Sequence, residues 1–245
     1  MNDTKVALVF FGITRSLRYC YDSIKDKIFD ELKKENISYH IYQHTYSLDN
    51  YKNQRTREIQ DTVDNNEYKI LQADFVMIEN QDETKKKLNL KQYRTHRDPW
   101  NSNYNSVDNM ILGHYSKKQA VTMIENSGIQ YDYIIFIRPD CLYLNKLNLN
   151  FIKEANDKTI VMPEFHCYSK FRINDRFAIT TMNNYKIYGC IFDKLLDISK
   201  KMSLHSEDIL GLILKNNKIN IKKIKFRFHR IRCEGNIEER DRNIK

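Results

Sequence analysis

Apolar runs and helical periodicity alternate along this chain from residue 5 onward. Residues 5–11 (KVALVFF) are a continuous Val- and Phe-rich run that reads as a buried strand, and it ends at Gly12. From about Arg15, the residues Leu17, Tyr21, Ile24, Ile28 and Leu32 recur at three- and four-residue spacing. That spacing predicts a helix with one apolar face, stopped near Asn36. Residues 38–43 (SYHIYQ) alternate and read as a second strand. Strand, helix, strand in this order predicts a right-handed βαβ unit and a parallel sheet. Residues 49–68 are polar, helix or loop, and 73–78 (ADFVMI) read as a third strand. A basic surface excursion is expected over 85–99. A helix follows over 106–126, its core face at Val107, Met110, Ile111, His114, Val121 and Ile124, with Gly128 placed to end it. Residues 131–137 (YDYIIFI) form the strongest strand and run into Arg138, Pro139 and Asp140. Short strands are expected at 159–162 and 176–180, and a helix at 182–199. Another helix starts at Ser206, which can cap it, with Glu207 and Asp208 in the first turn where the dipole favours carboxylates. Residues 221–231 read as one basic strand, with Phe226 and Phe228 on one face and Lys225, Arg227 and His229 on the other. The fold class that results is α/β: a single, Rossmann-like domain over 1–245, with a mixed, mainly parallel central sheet flanked by helices. Residues 233–245 are left as a loose tail.

At 245 residues the chain can bury a full core without disulfide or metal staples. No apolar run approaches the ~20 residues of a membrane span, and no basic stretch followed by an apolar one opens the sequence. The five cysteines are scattered, without a C-x-x-C pair, which points to free thiols in a reducing compartment. The expectation is a cytoplasmic protein, or one peripheral at a membrane. A net charge of +9 favours anionic partners, whether nucleotide phosphates, nucleic acid or an acidic lipid surface. Neither G-x-G-x-x-G nor G-x-x-x-x-G-K-[ST] occurs, which argues against a Rossmann dehydrogenase or a P-loop kinase.

Ligands of open α/β sheets sit outside the carboxyl ends of the strands, which draws attention to Arg138-Pro139-Asp140. There Asp140 is suited to a divalent metal and Arg138 to phosphate oxygens. Gly12 lets the backbone approach a ligand, and Arg15 adds a positive charge beside it. Glu207, Asp208 and Asp175 are the carboxylates available as a general base. Tyr46, Tyr104 and Tyr115 are candidates to stack on a base, and Trp100 to flank an acceptor sugar. Without a ligand the same residues read as a strand-end ion pair, acids complementing a helix dipole, and packed aromatics.

Four apolar residues followed by Arg138-x-Asp140 resemble the metal-binding Asp-x-Asp motif of GT-A glycosyltransferases, with Arg in place of the first Asp. Phe11-Gly12-x-x-Arg15 resembles the Gly-Gln-x-Arg opening of a family of nucleotide-sugar transferase-like proteins of bacteria, algae and large viruses. His44-Thr45-Tyr46 stands where that family has a strand ending in His-Thr-aromatic, and Asn174-Asp175-Arg176-Phe177-Ala178 matches its Asn-Asp-Arg-Phe-Ala segment. Ser206-Glu207-Asp208 is similar to the x-Glu-Asp element whose acid deprotonates the acceptor. The resemblance spans Val6 to about Arg232. It implies a GT-A-like fold and a nucleotide-diphosphate sugar as donor, held by Gly12, Arg15, Arg138, Asp140, Tyr115 and Arg176. It further implies a divalent metal, Mn2+ or Mg2+, on Asp140 and His229, and Asp208, Asp175 or Glu207 as catalytic residues. The acceptor would be a glycan, a lipid-linked or a protein hydroxyl. Two departures stand out: the metal has one carboxylate instead of two, and Thr180 and Thr181 replace a glycine after the Arg-Phe-Ala strand. A catalytically inactive GT-A-like binding protein is the first alternative. A basic nucleic-acid-binding module built on residues 222–232 is the second, weakened because Phe226 and Phe228 oppose the charged face.

Overall fold

The computed structural model describes residues 4–53, 55–167 and 169–244. In chain order the strands are β1 (Lys5–Phe11), β2 (Ser38–Ser47), β3 (Tyr51–Asn53), β4 (Glu58–Gln60), β5 (Phe75–Asn80) and β6 (Tyr133–Ile137). They continue as β7 (Cys141–Tyr143), β8 (Thr159–Pro163), β9 (Phe177–Thr181), β10 (Asn220–Ile224) and β11 (Phe228–Arg230). The helices are α1 (Leu17–Ile24), α2 (Asp30–Lys34), α3 (Gln81–Leu88), α4 (Asn105–Ser127), α5 (Leu149–Lys153), α6 (Tyr185–Gly189), α7 (Phe192–Ser199) and α8 (Ser206–Asn216). A π-helical turn, Lys25–Phe29, joins α1 to α2.

Seven strands form one sheet in the order β10-β8-β9-β6-β1-β2-β5. β1 pairs in parallel with β2 and β6, β2 with β5, and β10 with β8, whereas β9 runs antiparallel to both its neighbours. This is the mixed, mainly parallel α/β sheet that the strand–helix alternation predicts. Strand β1 shows why its sequence is apolar throughout. Ala7 and Val9 face a cluster with Val107, Ile111, Val121 and Ile124 of α4, while Val6, Leu8 and Phe10 face Leu17, Cys20 and Ile24 of α1. A central parallel strand is covered on both faces, so both sets of alternating side chains must be apolar. Gly128 ends α4 with φ +66, the left-handed conformation expected of it.

Several expectations need correction. Residues 49–68 contain an antiparallel hairpin, β3 and β4, and the excursion at 85–99 overlaps α3 and a 3-10 turn at Leu90–Tyr93. The strand expected over 221–231 breaks in two: β10 joins the main sheet, and β11 pairs with β7. Asn145 fixes the break by accepting from the Arg227 amide (2.7 Å) and donating to the Lys225 carbonyl (2.9 Å). The helix expected over 182–199 is interrupted at Cys190, between α6 and α7. Gly189 lets α6 lie against the sheet, because a Cβ there would stand 2.4 Å from Val121 Cγ2 and 3.0 Å from Phe136 Cζ. The stretch expected as a loose tail is tied back: Asp241 is fully buried and accepts from both the amide and the guanidinium of Arg230. All five cysteines are free, and no helix among the described residues is long and apolar enough to cross a membrane.

Candidate functional site

A cleft of about 510 Å³ opens at the carboxyl edge of the sheet, a size suited to a small-molecule ligand. The turn after β1 brings Gly12 and Arg15, and the turn after β6 brings Arg138 and Asp140. Because β9 runs against its neighbours, its entry, with Asp175 and Arg176, falls at this same edge. Helix α4 contributes His114 and Lys117, the start of α8 contributes Ser206 and Glu207, and the β3–β4 hairpin supplies Tyr51 and Arg55. The carboxy-terminal segment closes one side with Arg230, Arg232, Glu238 and Arg240. Gly12, at φ +94, turns the chain so that its amide donates to Ser116 Oγ (2.8 Å). Trp100 is held in the wall by a loop in which Asp98 accepts from the amides of Trp100, Ser102 and Tyr104. Its indole stacks on His205 at 5.2 Å.

Among the described residues, eight cationic side chains line the cleft against four carboxylates. Six of the cations are matched by acids of the chain itself. Arg138 grips Asp140 with two hydrogen bonds, Nε to Oδ1 at 2.8 Å and Nη2 to Oδ2. Arg15 lies 3.2 Å from Glu58 and 3.7 Å from Asp140, and its guanidinium covers the Tyr51 ring at 4.5 Å. Glu58 also accepts from Arg232 (3.1 Å) and from the Cys233 amide (3.1 Å). Arg232 and Arg240 both face Glu238, and Arg230 is bidentate on Asp241. Arg176 lies 3.7 Å from Asp175 and 3.6 Å from Glu207.

These contacts set the protonation states. Burial pushes the Asp140 carboxyl upward, but Arg138 and Arg15 outweigh it and hold the group well below the usual carboxylate range. Asp175 is likewise held low, burial being outweighed by Arg176 and by the Ser206 hydroxyl that donates to it at 2.5 Å. That bond also corrects the expectation that Ser206 caps α8: the cap position is His205, and the Ser206 hydroxyl turns to Asp175. Glu207 behaves oppositely. Burial and the Asp175 charge raise its pKa, and Arg176 only partly offsets them. Burial and Lys117 push His114 well below its usual value, so its imidazole is neutral. Burial lowers Lys117 to about 8, with Asp175 in partial opposition.

Of the residues singled out from the sequence, Gly12, Arg15, Arg138, Asp140, Asp175, Arg176 and Glu207 meet in this cleft. Asp208, Tyr115 and His229 do not line it. Asp208 faces His205, and the Tyr115 hydroxyl donates to Glu79 (3.1 Å). His229 Nε2 is turned to the Ile244 carbonyl (3.0 Å). A divalent metal on Asp140 and His229 therefore does not fit: the histidine is spent elsewhere, and both Asp140 oxygens face a guanidinium. Among the described residues no group of three His, Cys, Asp or Glu side chains is placed to hold a metal ion. Phe226 and Phe228 are buried, which removes them as base-stacking platforms.

Sequence reasoning passed over Lys117 and Arg55. Lys117 carried a signal, since it lies three residues after His114 and four before Val121, on the apolar face of α4. Arg55 carried none, because the hairpin that presents it was not foreseen.

No protein family matches the sequence, and no curated protein matches it. Among solved structures the chain is similar to the galactosyltransferase LgtC in complex with donor and acceptor sugar analogues. The identity is 7% and the TM-score 0.46, over 88% of this chain and 72% of that one. It is also similar to a Bacillus anthracis protein assigned as a glucose-1-phosphate thymidylyltransferase, in complex with a sucrose. There the identity is 9% and the TM-score 0.40, over 93% of this chain and 89% of that one.

Proposed function

We propose that this chain is a glycosyltransferase of GT-A type, which takes a nucleotide-diphosphate sugar in the carboxyl-edge cleft and passes the sugar to an acceptor hydroxyl. One observation carries the reading: a single cleft joins a cationic excess and an aromatic wall to a buried carboxylate of raised pKa, Glu207. The cations suit a diphosphate, Trp100 and Tyr51 suit the flat face of a base or sugar, and Glu207 suits proton transfer. The Asn174–Ala178 segment, which resembles a nucleotide-sugar transferase element, delivers Asp175 and Arg176 to the same place.

In this reading the acceptor oxygen forms a bond to the anomeric carbon while the bond from that carbon to the diphosphate oxygen breaks. The electron pair stays on the leaving nucleoside diphosphate, and the acceptor proton passes to Glu207. A carboxylate of raised pKa is the better base, which favours Glu207 over Asp175. Asp175 is committed to Ser206 and Arg176, and serves to position them. The acceptor is a hydroxyl of a glycan, a lipid-linked sugar or a protein.

A thermal-shift panel of UDP-, GDP-, TDP- and CMP-linked ligands tests the reading. A ligand at 100 times its dissociation constant adds about 2.7 kcal/mol to stability. The expected result is a raised melting temperature with one nucleoside diphosphate, and release of that nucleotide when its sugar is incubated with acceptor. No shift with any member of the panel refutes the assignment.

A further inference from the structure

Two of the cations lining the cleft, one buried and one exposed, have no carboxylate of the described residues within ion-pair distance. Lys117 is at the floor, 3% exposed, with its ammonium 4.3 Å over the Tyr188 ring and 5.3 Å over the Phe11 ring. Asp175 and Arg138 are the charged groups around it, and neither pairs with it. Arg55 is at the mouth, on the turn of the β3–β4 hairpin, with its guanidinium 5.5 Å over Trp100. The charges that act on it most are predominantly cationic: Arg240, Arg230 and Arg176, with Glu207 the acid among them.

A buried ammonium without a counter-ion is unfavourable, and a fold that retains one has left room for an anion from outside. Arg15 and Arg138, which the sequence suggested for the phosphates, are committed to Glu58 and Asp140. The charges also match. A sugar diphosphate diester carries two negative charges, one on each phosphoryl group, and the cleft leaves two cations unmatched. We propose that Lys117 and Arg55 are the anion seats of the cleft, and that they neutralise the donor diphosphate in place of a divalent metal ion. The inference rests on the nucleotide-sugar reading above and adds to it which residues take the charge and that no metal takes part. When the sugar leaves, the new charge on the diphosphate falls among these same cations.

The test is isothermal titration of the full chain with UDP, GDP, TDP and inorganic pyrophosphate, each in manganese and in EDTA. Lys117→Met and Arg55→Gln are compared with Lys222→Gln, a control on the edge strand where Lys222 pairs with Glu154. The expected result is one nucleoside diphosphate binding within twofold of the same affinity in either condition. Each of the two cleft variants weakens it at least tenfold, and the control leaves it unchanged. Pyrophosphate binding that is lost in the same two variants supports seats for phosphate rather than for the base. Binding that falls tenfold in EDTA, or cleft variants that bind like wild type, overturns the inference and leaves the nucleotide reading intact. No binding of any nucleotide overturns both. Arg55 is exposed on a hairpin, so its variant reports on binding even if the Lys117 variant folds poorly.

Discussion

Replacing Lys117 with Met should make the ligand-free protein more stable while weakening its ligand. The lysine pKa falls from 10.5 to about 8 on folding, mainly because burial disfavours the ammonium. At about 1.4 kcal/mol per unit, a charged Lys117 costs the folded state roughly 3 kcal/mol at pH 7. Methionine keeps the length and volume of the side chain. It loses the cation–π contact with Tyr188, worth about 1–2 kcal/mol, and regains part of that through its sulfur. The net gain is roughly 2 kcal/mol, which for a chain of this size raises Tm by about 4–8 °C.

The pH dependence gives the sharper check. Between pH 8 and 10.5 the unfolded chain holds the Lys117 proton and the folded chain releases it. Wild-type stability relative to Lys117→Met therefore rises with pH across that window. The penalty is complete below pH 8 and gone near 10.5, where the two proteins should converge. Urea denaturation of both, at intervals from pH 7 to 10.5, measures the difference. A variant less stable than wild type at pH 7, or a gap that does not narrow, would show that the ammonium already has an anionic partner in the free protein.

Three further outcomes follow from the same geometry. Glu207→Gln should retain nucleotide binding and lower kcat by roughly 10²–10⁴-fold, whereas Asp208→Asn, outside the cleft, should change it less than tenfold in steady-state transfer assays. Gly189→Ala places a methyl group 2.4 Å from Val121 Cγ2, and should cost about 1–3 kcal/mol in urea unfolding. Asp241→Asn should cost about 3 kcal/mol, because it leaves the buried Arg230 guanidinium without its counter-charge. Burial raises the Asp241 pKa, but hydrogen bonds from His166 and Arg230 outweigh it and hold it low. Its contribution is therefore present above the ordinary carboxylate range and lost as pH falls through the depressed folded value. The acid limb of the stability curve should flatten in the variant.

The elements legible in the sequence are those whose burial is periodic. β1, β6 and α4 lie within two residues of their expected limits, because burial on both faces or along one stripe dictates their side chains. The hairpin at 51–60 escaped, since its strands have three residues each and its turn relies on Arg57 at φ +54, which no glycine or Asn-Gly pair announces. The expected strand over 221–231 failed for a different reason. Alternation continues unbroken through residues 225–227, and tertiary contacts, the Asn145 side chain and the Leu144 amide on the Arg227 carbonyl among them, send the two halves to separate sheets. At the cleft, the turn after β6 was legible because ligands of open α/β sheets sit at strand carboxyl ends. The entry to β9 was flagged only by the Asn-Asp-Arg-Phe-Ala resemblance, and the antiparallel direction that brings it to the same edge was not foreseen.

What could not be read is which charge meets which. Glu58 meets Arg232 across 174 positions of sequence, and that contact draws the terminal segment over the cleft. Asp140 stands where the motif resemblance puts a metal ligand, yet the Arg two residues earlier folds back onto it and converts a cation-binding carboxylate into a guanidinium anchor. Pairings of this kind hold six of the cleft's cations in place, and a guanidinium fixed on two carboxylate oxygens keeps its direction. The arginines that a motif search selects are thus the ones least free to serve a ligand. Lys117 was not singled out on the sequence, and it is there that the fold leaves a buried ammonium with no carboxylate of the described residues within ion-pair distance. Ligand chemistry at such a site is better inferred from the charges left over after the protein's own pairings than from the number of charges present.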